Sequence, residues 1–328
     1  MKLATLRDGS LDGSLVAVSR DLRNAVGCSD IAPNLRVALE CWPDVEARLV
    51  ERFETLEAGS ADGAFAFEQG SAAAPLPRAP QLLDGSAFKT HGELMAKALG
   101  MTIPAGVYSE TPLMYQGTSD DLLGASDDVE LPSEDDGIDF EGEVVVIVAN
   151  VAMGASVEAA EASIRLITVM NDVSLRNCGR WEVITGFGFI QAKPRSSFAP
   201  VAVTPDELGA SWRDGRVHLR LRVEWNESVF GSPSAADMAV SFPELIAYAA
   251  RRRTLGAGTI IGSGTISNEN YAEVGSTCIA ERRMIEQLEI GKPHTAFMQF
   301  GDRIRMEMCD AAGSSIFGAI DQRIAPAR

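Results

Sequence analysis

Asp139-Phe140-Glu141-Gly142-Glu143, running directly into Val144-Val145-Val146-Ile147-Val148-Ala149-Asn150-Val151, is the stretch on which the reading of this chain turns. The apolar half reads as a β-strand. On a strand, positions i and i+2 share a face, so Glu141 and Glu143 are expected to point the same way, a few ångströms apart. Two like charges so placed repel unless a cation or a proton intervenes. An isolated Glu-X-Glu is most simply a solvated strand edge. This one matters because other acids can join it.

Working outward, strand signals dominate the chain after residue 80. They include residues 164–172 (IRLITVMND), 217–225 (VHLRLRVEW), 258–264 (GTIIGSG), 302–308 (DRIRMEM) and 315–321 (SIFGAID). Several alternate polar and apolar residues, as half-buried antiparallel strands do. Residues 217–225 and 229–231 form an expected hairpin. Helices are fewer, expected at residues 91–99, 157–163 and 242–253. Strands and helices do not alternate regularly, which argues against a doubly wound parallel sheet. Residues 1–20 read as a hairpin and 34–58 as helix. Residues 59–80 are rich in Gly, Ala and Pro and read as a linker. The expectation is a strand-rich α+β chain: a small α+β accessory domain over 1–80, then a mixed β-sandwich roll over 81–328. The segment 117–139, rich in Gly, Ser and Asp, is expected to be a long loop of the kind that forms lids.

The bulk numbers fit an ordinary globular protein. The 328 residues are 46% hydrophobic and 23% charged, with a formal charge of −17. So acidic a surface repels nucleic acid and anionic membrane, and neither is an expected partner. The five cysteines, none in CxxC spacing, argue against a disulfide framework or zinc knuckle and fit a reducing cytoplasm. Neither a signal peptide nor a run long enough to span a membrane is seen.

Further acids complete the constellation. The strand ending in Asp172 would deliver that carboxylate to a site, and Asp84 lies seven residues before His91. His218, inside an alternating strand, and His294, in a turn, read as structural or surface residues. Met284, Met298, Met306 and Met308 read as core, and Arg251–Arg253 as a helix end complementing its dipole.

With these residues in view, the chain resembles the fumarylacetoacetate hydrolase family. The resemblance rests on DGSAFKTH (84–91), DFEGEV (139–144), NDVSLR (171–176), GFIQAK (188–193), GSGTIS (262–267) and Glu281 in CIAERRM, and spans about residues 80–322. It implies a mixed β-sandwich roll, usually dimeric, acting on a small diketo acid in aromatic or amino-acid catabolism. It also implies roles. Asp84, Glu141, Glu143 and Asp172 match metal carboxylates, His91 the general base and Glu281 the acid that orients it. Lys193 and Arg176 match cationic groups of the catalytic shell, and Tyr115 and Thr265 match substrate-side positions. Oxygen-only ligands suit Mg²⁺ or Ca²⁺, with Mn²⁺ also admissible. Such an ion polarises a carbonyl and stabilises an enolate, while a histidine has the intrinsic pKa range to activate water.

The chain departs from fumarylacetoacetase where that enzyme grips its substrate. Ser86, Gly100, Gly179 and Val183 replace polar residues there; Tyr108, Lys97, Arg180 or Gln116 are candidate substitutes. Substrate identity is thereby left open. Two other readings stand beside hydrolysis: a 2-oxo acid decarboxylase, hydratase or tautomerase on the same fold, and a catalytically dead scaffold.

Overall fold

The strand Gly142–Val148 is buried at every position, because both faces of its sheet are covered. Val144, Val146 and Val148 enter one core, while Val145 and Ile147 enter a second. A strand covered on both faces has no need of polar alternation, which explains the unbroken apolar run. The computed structural model describes residues 1–98, 100 and 102–327, and of these not the side chains of Ala98 and Arg180.

This strand sits inside an eleven-stranded mixed sheet. Its order runs Phe65–Ala66, Asn24–Gly27, Ser14–Val18, Lys2–Leu6, Ala202–Val203, Ile164–Asn171, Gly142–Val148, Ile260–Gly262, Leu82–Gly85 and Met114–Gly117, with Ser197–Phe198 beside Ile164–Asn171. Among the described residues, only Ile260–Gly262 and Leu82–Gly85 pair in parallel within it. The second sheet has five strands: Ser228–Gly231, Leu221–Trp225, Arg303–Met308, Ile320–Pro326 and Val129–Leu131. The larger core lies between the sheets and takes in Phe242, Leu245 and Ile246 of the helix Phe242–Ala249. The other core sits beneath the helices Leu35–Glu40 and Trp42–Glu57, which bury Leu39, Trp42, Val45, Leu49 and Phe53. The molecule is thus α+β and strand-rich, as the patterning implied. Among the described residues, no helix is long and apolar enough to cross a membrane.

The hairpin at the start of the chain forms, with Lys2–Leu6 antiparallel to Ser14–Val18. So does the one at Leu221–Trp225 and Ser228–Gly231, turning through Asn226 and Glu227 at positive φ (48° and 64°), the geometry tight hairpins favour. The sheet runs on across residue 80, since Lys2–Leu6 pairs with Ala202–Val203.

Several expectations need correction. The stretch 117–139 is not a free lid. Leu122, Leu123 and Ala125 are buried, and the Gln322 side chain holds the carbonyls of Gly124 and Asp127. The strand expected at 315–321 is Ile320–Pro326, because Gly318 turns the chain at φ +74° against Pro200. The stretch 59–80 is no loose linker, since Ala72, Ala74, Leu76 and Ala79 are all buried. The helix with His91 is Lys89–Ala98; Leu99, its expected last residue, lies outside the described residues. A helix not foreseen, Ile279–Ile290, carries Glu281.

Candidate active site

Three chain segments bring four carboxylates to one end of the main sheet. Asp84 ends Leu82–Gly85, Glu143 lies in Gly142–Val148, Asp172 follows Ile164–Asn171, and Glu141 forms a β-bridge with Cys278. All four are at least 95% buried. The acceptor atoms of Asp84, Glu143 and Asp172 lie within 4.8 Å of one another. Glu141 is outside that trio: its two oxygens accept from Arg176 Nη2 at 2.6 Å and Lys193 Nζ at 2.6 Å. Lys193 Nζ also reaches Asp172 Oδ2 at 2.5 Å, which ties Glu141 to the trio.

Small residues make the crowding possible. A Cβ at Gly262 would collide with Asp84 Oδ1, and one at Gly142 would come 2.6 Å from Leu221 Cδ2 in the second sheet. The backbone amide of Gly264 donates to Asp84 at 3.1 Å and Glu143 at 3.2 Å. Ser196 Oγ donates to Asp172 Oδ1 at 2.8 Å.

The electrostatics divide the carboxylates in two. Burial, then the charge of Asp172, pushes Asp84 up to about 7. Burial, then the charges of Asp84 and Asp172, raises Glu143 well above the usual carboxylate range. Glu141 goes the other way: burial opposes its ionisation, but Arg176, Lys193 and His91 outweigh that and hold it well below the usual range. The trio therefore carries more negative charge than its surroundings compensate, and a buried excess of this kind demands protons or a cation. Glu143 Oε1 is buried with no hydrogen-bond partner. A set of buried carboxylate oxygens with one such orphan suits a hard dication.

His91 and Glu281 meet beside this trio. His91 Nδ1 lies 2.8 Å from Glu281 Oε2, on side chains 16% and 0% exposed. The helix bearing Glu281 is fixed at its N-terminus by Asp139, whose carboxylate accepts from the amides of Ile279 at 2.7 Å and Ala280 at 2.8 Å. Arg176 Nε also donates to Asp139, at 2.8 Å, so Arg176 bridges Asp139 and Glu141. Tyr115 donates its hydroxyl to Asp172 Oδ2 and meets Phe189 edge-on, with ring centroids 5.0 Å apart. Burial, then Asp172, raises that phenol well above its ordinary value, so it stays a donor. Thr265 is buried next to Gly264.

All ten residues singled out from the sequence thus fall in this region. The sequence reading gave no role to Asp139, Ser196, Cys278 or the Gly264 amide. Asp139 had a visible signal, two positions ahead of Glu141 in DFEGE. A backbone donor and a serine in PRSSF have none. Of the suggested substitutes for the missing polar grip, Tyr108 is half-buried, with its hydroxyl against Gly92 of the His91 helix. Lys97 and Gln116 are exposed, and the Arg180 side chain lies outside the described residues.

Comparison with known proteins places the chain in a family. Residues 82–325 match the family described as Fumarylacetoacetate (FAA) hydrolase C-terminal, and residues 1–78 match Fumarylacetoacetase N-terminal domain 2. The chain is 24% identical over 242 residues to the Fumarylacetoacetate hydrolase domain-containing protein 2 homolog of Dictyostelium discoideum, covering 72% of this chain and 70% of that protein. It is 26% identical over 196 residues to Oxaloacetate tautomerase YisK of Bacillus subtilis, covering 59% of this chain and 61% of the relative. In fold it resembles maleylpyruvate hydrolase from Sphingobium sp. SYK-6, solved in complex with manganese (II) ion and pyruvate, with TM-score 0.61, 18% identity and full coverage of both chains. With family matches over nearly its whole length, the chain belongs to the fumarylacetoacetate hydrolase family.

Proposed function

We propose that this chain is a divalent-metal-dependent hydrolase that cleaves a carbon–carbon bond in a 1,3-diketo acid. The observation that carries the reading is the His91–Glu281 pair, 2.8 Å apart beside three buried carboxylates. Hydrolysis needs an activated water, and decarboxylation does not. Asp84, Glu143 and Asp172 would hold the dication, with Glu141 alongside; Mg²⁺, Ca²⁺ or Mn²⁺ fits an all-oxygen set. Bound there, the ion would polarise the attacked carbonyl and stabilise the departing enolate.

The chain's own groups do the rest. With Nδ1–H donated to Glu281, the other ring nitrogen of His91 keeps its lone pair and takes a proton from water. Glu281 then stabilises the imidazolium that forms. Lys193, buried between Glu141 and Asp172, supplies positive charge where an oxyanion develops. Arg176 holds Glu141 and Asp139 in register. Tyr115 and Thr265 border the place for substrate.

A second reading, keto–enol tautomerisation of a 2-oxo acid, is favoured by two observations. The positions that grip substrate in fumarylacetoacetase carry Ser86, Gly100, Gly179 and Val183 here, and a matched relative is named an oxaloacetate tautomerase. The test mixes purified protein and Mg²⁺ or Mn²⁺ with acylpyruvates, fumarylacetoacetate and oxaloacetate. Loss of diketone absorbance with release of a carboxylic acid supports hydrolysis. Interconversion of oxaloacetate tautomers with every diketone left intact contradicts it.

A further inference from the structure

A cleft of about 1060 Å³ opens beside the edge strand Met114–Gly117. That is the top of the range of roughly 300–1,000 Å³ that small-molecule sites occupy. One of its walls is Tyr115, whose hydroxyl donates to Asp172, so the cleft begins where the carboxylate trio ends. Its sides are apolar. Val183, Phe187 and Ile190 line it while 61%, 95% and 81% exposed. A contiguous apolar patch left in water marks a place where something apolar binds. Glu182 fixes the shape of that segment: its carboxylate accepts from the amides of Ile190 and Gln191, each at 2.8 Å, and of Ala192 at 3.0 Å. Those amides, Gln191 foremost, hold the Glu182 carboxyl below its usual range, so it stays ionised.

Arg251, Arg252 and Arg253, which follow the helix Phe242–Ala249, line the same cleft. The Arg251 guanidinium lies 5.0 Å over the Tyr248 ring. Among the described residues, none of the three guanidinium groups is paired with a carboxylate. Three guanidinium groups against the one Glu182 carboxylate leave an excess of two positive charges in the cleft, in a chain whose formal charge is −17. The helix dipole accounts for cations at this end. It does not account for three of them lining one apolar-walled cleft.

We propose that this cleft takes the far arm of the substrate, and that Arg251, Arg252 and Arg253 bind an anionic group at its tip. The chain thereby selects diketo acids whose acyl arm is apolar along its length and ends in a carboxylate. The dicarbonyl end lies at the trio, the arm passes Tyr115 and runs along Val183 and Ile190, and the guanidinium forks meet the terminal carboxylate. An apolar arm needs no polar partner where Val183 stands in place of fumarylacetoacetase's polar residue. The placing of the reacting end rests on the proposed function; the preference for an apolar arm with an anionic tip does not.

The test uses two pairs of acids of equal chain length, one of each pair ending in methyl and the other in carboxylate. The first pair are medium-chain 2-oxo acids, which lack the second carbonyl and cannot be cleaved as diketones. They are titrated calorimetrically into the full chain in excess Mg²⁺. The carboxylate-ended acid is expected to bind roughly tenfold or more tightly than its partner, the worth of a charge-assisted contact to guanidinium. The triple variant Arg251→Gln, Arg252→Gln, Arg253→Gln should abolish that preference. So should Val183→Glu, which sets a carboxylate against the arm. Both variants alter exposed side chains, and circular dichroism checks their folds; should the triple variant fail to fold, Val183→Glu decides. Equal binding of the two 2-oxo acids, binding of neither, or a preference that survives in the folded variants overturns the proposal. The second pair are the corresponding acylpyruvates, whose ratio of kcat/KM should follow the same order and fall in the triple variant. If neither acylpyruvate is cleaved, the hydrolase reading fails while the titration still decides the cleft.

Discussion

Replacing Glu281 by glutamine removes one charge and almost no volume. The carboxylate is 0% exposed, and its Oε2 lies 2.8 Å from His91 Nδ1. Glutamine's carbonyl can still accept from Nδ1–H, so the histidine keeps its tautomer and orientation. What is lost is the charge that stabilises imidazolium as His91 takes a proton. A hydrogen bond to a charged group contributes about 1.5–3 kcal/mol and a neutral one about 0.5–1.5 kcal/mol, so keeping the bond without the charge costs about 1–1.5 kcal/mol. At about 1.4 kcal/mol per factor of ten, kcat should fall roughly five- to tenfold. The new amide N–H₂ also lands where Glu281 Oε1 has no partner. Stability should change by no more than about 1 kcal/mol, because a buried unsatisfied donor replaces an oxygen that was already unsatisfied. Metal affinity should hold, because Glu281 is not among the trio. The assay is steady-state diketone cleavage at saturating Mg²⁺, with a melting curve and a metal titration on the same preparation. Unchanged kcat would refute the pairing of Glu281 with His91 as catalytic machinery. Collapse of Mg²⁺ affinity would show that Glu281 is a ligand instead.

Three other outcomes follow from the same geometry. Glu143→Gln relieves the repulsion among Asp84, Glu143 and Asp172, so the metal-free variant should melt above the wild type yet lose most of the gain that Mg²⁺ confers; a lower melting point would contradict the crowding argument. Asp84 is pushed up to about 7 by burial and Asp172, so between roughly pH 4 and 7 the folded protein holds a proton that the unfolded chain has released. Metal-free stability should accordingly fall as pH rises through that window, and added Mg²⁺ should stabilise more at pH 8 than at pH 5, as thermal melts at the two pH values will show. Gly262→Ala alters no charge but drives a Cβ into Asp84 Oδ1; Mg²⁺ affinity, measured calorimetrically, should weaken by at least about tenfold.

Much of this was legible in the sequence because its cause is local. The apolar run 144–148 reads as a strand whatever packs on it. Glu141 and Glu143 are expected on one strand face by covalent geometry alone, and DGSAFKTH carries both Asp84 and His91 within eight residues. What stayed hidden depends on partners distant in sequence. Glu141 and Glu143 look equivalent in DFEGE, yet Arg176 and Lys193 draw one toward a cationic clamp while Asp84 faces the other. No pattern within five residues contains that difference. The helix Ile279–Ile290 was missed because its first turn is fixed from outside by Asp139, far away in sequence. The segment 117–139 has the composition of a lid, but the Gln322 side chain pins it down from the opposite end of the chain.

The central claim is that Asp84, Glu143 and Asp172 are held together so that a dication can take the place of protons. Calorimetric titration of Mg²⁺ or Mn²⁺ into metal-free protein tests it most directly. One ion per chain is expected, abolished in Asp84→Asn and in Asp172→Asn and retained in His91→Ala. No binding by the wild type, or binding that all three variants leave untouched, would contradict it.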